Sequence, residues 1–551
     1  MEAFKIIYTV LGGLGLFFYG MKNMSEALQS VAGEVVKNTI NTITKNRVSA
    51  VIVGTIVTVV VQSSSVTTVM VVGFVNAGLM NLTQAIGVIF GANIGTTITG
   101  WIISIKIGKY GLLLIGMGIF PLLFGKTNKV RQIGRILFSV GMIFFGLKIM
   151  SGAFKPLRSM PEFLDMISYF SEQNYGSYFA CIIVGCILTM VVQSSSAMLG
   201  ITMAMATSGV IEFHTAAALV LGENIGTTIT ALLASVGANV TAKRAARAHA
   251  IFNTLGVITV FSFFPIYVNF IDWIVPGDAN LANAAGDFTN IAVHIATGHT
   301  IFNVTATIIF IPLLHILANV VIKITPDKGE KEQHHLVMLS DPNTLFPATA
   351  LAQVEAEVEK MKDIVGRLYS LAGEIFIEDS KKPLSEIMIK AKDYENITDN
   401  IQKEVTVFIV KVMEKPLSEM ESQKARSLLK EVDELESIAD YIEKLICYAE
   451  RNPIDEILKG EAKSEFVSFY NDVKEFYESV SQQISDKKVD TSVVKRRSEV
   501  LRLKAESIRS NHLERISKGE FDALTALTYS DMIVALRKIR SHTQNVAEAY
   551  A

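Results

Sequence analysis

The chain carries one thirteen-residue pattern twice, and this duplication limits what it can fold into more than any other feature. Val53-Gly54-Thr-Ile56-Val-Thr58-Val-Val60-Val61-Gln62-Ser63-Ser64-Ser65 returns as Val184-Gly185-Cys-Ile187-Leu-Thr189-Met-Val191-Val192-Gln193-Ser194-Ser195-Ser196, with ten of thirteen positions identical at an offset of 131. At the same offset Gly91-Ala-Asn93-Ile94-Gly95-Thr96-Thr97-Ile98-Thr99 matches Gly222-Glu-Asn224-Ile225-Gly226-Thr227-Thr228-Ile229-Thr230 in eight of nine. Upstream, Gly15 to Lys22 echoes Gly141 to Lys148. Ordered matches of this kind mean two copies of one structural unit.

Charge separates a second part. Residues 1–325 hold only 18 of the 51 Lys and Arg and 11 of the 53 Asp and Glu, so the net charge of −2 is a near-cancellation of a basic apolar part and an acidic polar one. The first part suits a bilayer, the second a water-exposed helical domain. The Gly-rich apolar stretch after Met1–Lys5 has no small-residue cleavage site behind it and is expected as a first membrane helix. Cys181, Cys186 and Cys447 suggest packing rather than a disulfide framework.

The apolar run before Gln62 is too short to cross a ~30 Å hydrocarbon core, and a second short run follows the serines. This predicts a re-entrant hairpin at 48–79, with Gln-Ser-Ser-Ser at its tip, and a matching one in the second copy. The Gly-x-Asn-Ile-Gly-Thr-Thr block is expected to interrupt the next spanning helix in each half. Irregular backbone at membrane depth is tolerated where it lines a cavity, and paired interrupted segments point to a substrate site. Full crossings near 5–21, 82–105 and 110–125 would make three per repeat, so the second copy would be inverted. With the N-terminus outside, twelve Lys and Arg fall on inside segments and five on outside ones, which favours that orientation and a cytoplasmic C-terminal domain.

Amides and hydroxyls at two paired tips, with half-helix N-termini carrying partial positive charge, suit a small oxyanion. Oxygens of the same motifs and half-helix C-termini suit Na⁺. No Arg or Lys lies in either motif, so dipoles and bound cations would balance the anion, a physical argument for coupling. The doubled Gln-Ser-Ser-Ser with its Gly-x-Asn-Ile-Gly-Thr-Thr block resembles the type II sodium/phosphate cotransporter family in its bacterial form, as does Arg244-Ala-Ala-Arg247-Ala-His249-Ala-Ile-Phe252-Asn253. The resemblance covers about residues 8–320 and implies Na⁺-driven uptake of inorganic phosphate. By position it implies that Gln62, Ser63, Ser64, Ser65, Gln193, Ser194, Ser195 and Ser196 surround phosphate and cations, with Asn93, Thr96, Thr97, Asn224, Thr227 and Thr228 completing the cage. Glu223 stands where the first copy has Ala92, and a carboxylate at membrane depth is a candidate for ligating Na⁺ or taking up a proton. His249-x-x-Phe252-Asn253 recurs as His299-x-x-Phe302-Asn303 and reads as helix-to-helix packing.

From about Thr344 the pattern is charged and helical, with helices expected near 344–378, 383–413, 416–451, 462–486, 490–517 and 521–549, as two three-helix bundles. Glu395-x-x-x-Asp399 and Glu436-x-x-x-Asp440 each put two acids on one face, so antiparallel packing would gather four carboxylates for a divalent metal. This arrangement resembles the PhoU family.

The expectation is an all-α chain: repeat 1 at 1–125, repeat 2 with trailing helices at 126–325, a linker at 326–343 and cytoplasmic PhoU-like bundles at 344–551. Its function would be sodium-coupled phosphate uptake across a bacterial inner (plasma) membrane, or membrane-bound phosphate sensing through the helical domain. The expected partners are phosphate, sodium, the lipid bilayer and, as the assembly considered, a second copy in a homodimer. No nucleotide loop or Ser-His-Asp context suggests an enzyme, and the acidic soluble part speaks against nucleic acid.

Overall fold

The computed structural model describes the chain except residues 1, 42–45, 77, 79, 106–109, 237, 284–285, 328–346, 378–382, 416, 418, 487 and 551. The expected linker therefore lies largely outside the described residues. Those residues are helical, with no strand among them, and the chain divides into two compact units, Met1–Lys328 and Gly329–Ala551.

The first unit contains α1 (Glu2–Asn41), α2 (Arg47–Val61), α3 (Ser64–Asn76), α4 (Leu82–Ser104), α5 (Gly111–Phe124), α6 (Asn128–Phe154) and α7 (Pro161–Ser171). It continues with α8 (Tyr175–Val192), α9 (Ser195–Ser208), α10 (Phe213–Gly226), α11 (Ile229–Ala234), α12 (Val240–Ser262), α13 (Phe264–Ile274) and α14 (Ile291–Ile324). Among the described residues six helices are long and apolar enough to span a bilayer: Phe4–Leu28, Leu82–Ser104, Lys129–Ser159, Tyr175–Val192, Phe213–Ala234 and Ile291–Ile324. The pair α12–α13, bent by 83°, makes a seventh if counted as one span.

Three expectations are corrected here. At about 1.5 Å per residue, the 15 residues of α2 and 13 of α3 fall short of a span, but α8, with 18 residues, is long enough to be one. The crossing expected at 110–125 is the 14-residue α5, also short, so the count of three crossings per repeat is not met. The Gly-x-Asn block does not interrupt α4, which runs unbroken through Asn93 and Thr97. In the second copy α10 ends at Gly226, and Thr227–Thr228 form a turn before α11. Nothing blocks the ladder in α4, because Gly, Asn and Thr are weak helix formers rather than helix breakers.

Glycines let the two copies pack in the same way. A Cβ on Gly54 would lie 2.0 Å from the Val88 carbonyl oxygen, and one on Gly91 would lie 1.9 Å from that of Val51. The matching positions Gly185 and Gly222 stand 2.2 Å and 2.0 Å from the carbonyl oxygens of Leu219 and Ile182. Each hairpin's first helix therefore runs parallel to the helix bearing the Gly-x-Asn block, backbone against backbone, as small residues permit in membranes. The halves also cross over: α3 packs on α11 and α12, and α9 on α4 and α6.

The second unit contains α15 (Pro347–Phe376), α16 (Leu384–Met413), α17 (Glu419–Tyr448), the short α18 (Ile454–Ile457), α19 (Gly460–Ser485), α20 (Thr491–Ser517) and α21 (Ala523–Glu548). Helices α15–α17 pack on one another, as do α19–α21, and α17 joins the groups by packing along α21. Buried Tyr369, Tyr470 and Tyr477 knit α15 to α19: the Tyr470 hydroxyl donates to the Tyr369 carbonyl, and the Tyr477 hydroxyl to that of Lys362 at 3.1 Å.

Candidate functional site

The two tips share one unusual backbone. Gln62 has φ 57°, ψ 24° and Gln193 has φ 55°, ψ 26°, and they are the only non-glycine residues with positive φ among those described. Each closes its helix with an N–H donated to the carbonyl four residues back, Thr58 or Thr189, at 2.7 Å. A left-handed residue other than glycine costs about 1–2 kcal/mol. Glycine would avoid that cost, so a glutamine retained twice points to a use for its side chain.

The serines after each glutamine open the next helix. Ser63 Oγ accepts from the Val66 N–H and Ser194 Oγ from the Ala197 N–H, both at 3.3 Å. Ser64 and Ser65, and likewise Ser195 and Ser196, occupy the first turns of α3 and α9, where helix N–H groups lack intrahelical acceptors. The tips differ in cover: Gln62 is 6% exposed and Ser64 4%, whereas Gln193 is exposed and Ser194–Ser196 half-buried. Gln62 is held by its Nε2 donating to Val59 O at 2.5 Å and by Thr99 Oγ1 donating to its Oε1 at 3.2 Å. Among the described residues no hydrogen bond joins one tip to the other.

The Gly-x-Asn blocks are buried and tied to residues the sequence reading set aside as packing. Asn93 Nδ2 donates to Asn253 Oδ1 at 3.2 Å. Asn303 Nδ2 donates to Asn224 Oδ1 at 3.4 Å, and His299 Nε2 lies 3.4 Å from the same oxygen. Each His-x-x-Phe-Asn motif thus contacts the asparagine of one Gly-x-Asn block, and its recurrence at matched spacing was the available signal. Thr96 and Thr97 donate to the carbonyls of Ala92 and Ile94, at 3.0 Å and 2.8 Å, and Thr228 to that of Ile225 at 2.8 Å. Glu223 is 3% exposed, and Thr202 of α9 donates to its Oε1 at 2.8 Å. Thr202 escapes a repeat search because its counterpart in the first copy is Val71.

The four acids proposed for a divalent metal do not make a cage. Lys392 pairs with Glu395 at 2.8 Å, Lys403 with Asp399 at 2.6 Å, and Lys444 with Asp440. Each lysine sits one turn away on the same helix, which neutralises three of the four acids locally. Burial, with Asp440, Asp399 and Glu395 nearby, pushes the Glu436 carboxyl upward. No three His, Cys, Asp or Glu among the described residues form a metal-holding group.

These features define an all-helical polytopic membrane protein with a duplicated, glycine-packed core whose two hairpin tips carry one geometry. The chain belongs to the Na⁺/Pi-cotransporter family, whose model matches residues 16–152 and 165–268, a family of transporters rather than enzymes. It is similar to the uncharacterized protein YqeW of Bacillus subtilis (31% identical over 325 residues, 59% of this chain and all of that one). The putative inorganic phosphate export protein YjbB of Salmonella typhimurium is 23% identical over 440 residues, 79% of this chain and 76% of that one. The sodium-dependent phosphate transport protein 2A of Rattus norvegicus is 41% identical over 100 residues, 17% of this chain and 15% of that one. No solved structure matches the chain.

Proposed function

We propose that the chain is a secondary transporter that couples Na⁺ to the uptake of inorganic phosphate, with the paired Gln-Ser-Ser-Ser tips as its substrate site. The observation that carries this reading is the shared left-handed glutamine, Gln62 and Gln193, each placed just before a helix that opens with serines. Hydroxyls and N–H groups of Ser63–Ser65 and Ser194–Ser196 would bind phosphate at the positive ends of two helices. Asn93, Thr96, Thr97, Asn224, Thr227 and Thr228 would complete the cage, with Glu223 as the negative group beside Na⁺. In this reading the N-terminus lies outside, and the acidic PhoU-like unit is cytoplasmic and regulatory.

Proteoliposomes with an imposed Na⁺ gradient test this by uptake of labelled phosphate, with choline replacing Na⁺ and sulfate as competitor. Ser64→Ala and Ser195→Ala each remove a hydrogen bond to a charged group, so uptake should fall roughly tenfold or more, with reconstituted protein unchanged. Normal uptake in both variants would sink the site assignment. Export is the second reading, favoured by the relatives named as putative inorganic phosphate exporters, which match most of the chain. Loading the vesicles with phosphate and measuring efflux under each Na⁺ gradient separates the two directions.

A further inference from the structure

Helices α20 and α21 depart in charge from the unit that contains them. Residues 326–551 hold 33 Lys and Arg against 42 Asp and Glu, yet α20 carries seven Lys and Arg against three Glu, and α21 three against two acids. Most of these cations are accounted for. Lys495 pairs with Glu548 at 3.4 Å, Arg497 with Glu475 at 2.8 Å, Lys504 with Asp472 at 2.5 Å and Arg515 with Glu465 at 2.6 Å. Arg502 grips Glu499 with two nitrogens, at 2.8 Å and 2.6 Å, and also donates to Glu506. Arg496, Arg509 and Lys538 are exposed, and water solvates such cations.

Arg537 and Arg540 fit neither description. They lie three residues apart on one face of α21, both are half-buried, and neither pairs with an acid among the described residues. The Nε of each is buried without a hydrogen-bond acceptor. Arg540 commits Nη1 to Ser498 Oγ at 2.8 Å, and the fully buried Ser498 donates in turn to Gln544 at 2.7 Å. Arg502 stands one turn beyond Ser498 on the same face of α20, along which α21 packs. Burial and the like charges of Arg537 and Arg502 outweigh Glu499 and hold Arg540 below its ordinary value. Glu499 is already committed to Arg502. Two neighbouring guanidiniums drawn partly out of water, with donors unused, strain the apo unit. A ligand that accepts hydrogen bonds and carries negative charge reverses that balance.

We propose that Arg537 and Arg540, with Arg502 beside them, form an oxyanion site in the second unit, separate from the hairpin tips, and that its ligand is a phosphate group. A guanidinium presents paired N–H groups that match the edge of a tetrahedral oxyanion. Arg537 makes no hydrogen bond among the described residues, and Ser498 steadies Arg540 while leaving the rest of its fork free. A small turn of either half-buried side chain brings Nε and a terminal nitrogen onto one ligand. Phosphate is also the anion for which the chain's family is named, so the site would let the second unit respond to it. Binding here needs no assumption about Na⁺ coupling or the direction of transport.

Hydrogen–deuterium exchange on the full-length protein in detergent tests this, in choline buffer without Na⁺. Inorganic phosphate and, separately, tripolyphosphate are compared with choline chloride of matched ionic strength. Either should slow exchange in peptides covering Thr491–Ser517 and Ala523–Glu548. Protection by inorganic phosphate marks a site for the free anion, and protection by tripolyphosphate alone marks one for the phosphates of a larger molecule. Arg537→Gln breaks no hydrogen bond, so that variant should fold normally while its half-maximal concentration rises roughly tenfold. Arg540→Gln should shift it in the same direction. The double variant Ser64→Ala, Ser195→Ala should keep the protection, which separates this site from the tips. No protection by either phosphate overturns the proposal, as does equal protection by chloride, the sign of simple charge screening. Protection that survives unchanged in both arginine variants overturns it too. Uptake is not read here, so a protein that carries no phosphate would defeat the transport reading and leave this site standing.

Discussion

Gly91→Ala puts the packing of the first half to a direct test. The added Cβ would sit 1.9 Å from the Val51 carbonyl oxygen and 2.7 Å from the Thr55 amide nitrogen, where ordinary contact begins at 3.4 Å. Both neighbours are backbone, so no side chain can rotate away. Helices α2 and α4 must separate by about 1.5 Å, the gap between 1.9 Å and 3.4 Å. Overpacking of this kind costs about 1–3 kcal/mol. The larger effect is positional, because α2 ends at the Gln62 tip and α4 carries Asn93 two residues on. A displacement near 1 Å costs on the order of 10²-fold where geometry sets the rate. Uptake by Gly91→Ala should therefore fall by about that factor, and Gly222→Ala, 2.0 Å from Ile182 O, should behave alike. Gly152→Ala on α6 is the control: nothing lies within 4 Å of its added Cβ, and it gains about 1 kcal/mol of helix propensity. The measurements are melting temperature in detergent and phosphate uptake per reconstituted protein. Wild-type values of both for Gly91→Ala would refute the claim that backbone contact positions the tip.

Two further outcomes concern the second unit. Removing residues 329–551 should leave a membrane unit that inserts and carries phosphate, since the chain divides there and one relative is matched over its whole length by 59% of this chain; loss of phosphate uptake in correctly inserted protein would show that the units share the chemistry. Glu431 is 1% exposed, and burial outweighs Lys362 at 3.6 Å and the Tyr550 hydroxyl that donates to it, so its carboxyl is raised above 4.5. An acid raised on folding binds more protons folded than unfolded, so its contribution falls as pH climbs above 4.5. The stability of Glu431→Gln relative to wild type should therefore rise across that window, and a pH-independent difference in denaturant melts would refute this.

The repeat made the hairpin tips legible because two copies of one motif report one geometry, and Gln62 and Gln193 do agree within a few degrees. The six long helices of the second unit were legible too, through apolar spacing and the prolines between them. What the pattern misjudged depends on what surrounds a segment. Residues 110–125 are apolar enough to span, but α5 is only 14 residues long and packs on α6 through Gly111 and Gly118. Four-residue acidic spacing reads the same for a metal cage and for lysine-paired surface acids, and only the positions of Lys392, Lys403 and Lys444 separate them. Asn253 and Asn303 were visible as a repeated motif, yet no spacing rule connects them with Asn93 and Asn224, which lie 160 and 79 residues away along the chain.

The same limit explains why the imbalance between the halves is hard to see in sequence. Self-similarity draws attention to positions that agree, whereas the second half differs at positions a motif search discounts: Ala92 against Glu223, Val71 against Thr202, Thr67 against Met198. Each exchange is minor alone. Together they add a buried carboxylate, give it a hydroxyl donor at 2.8 Å, and remove the hydroxyl acceptor to which Thr189 would have donated. A carrier with two equivalent tips has no reason to place charge in one of them. Under the proposed sodium-coupled reading there is a reason: an anion held without Lys or Arg in the motifs needs a cation to supply the positive charge, and the ion then has to be bound for the anion to stay.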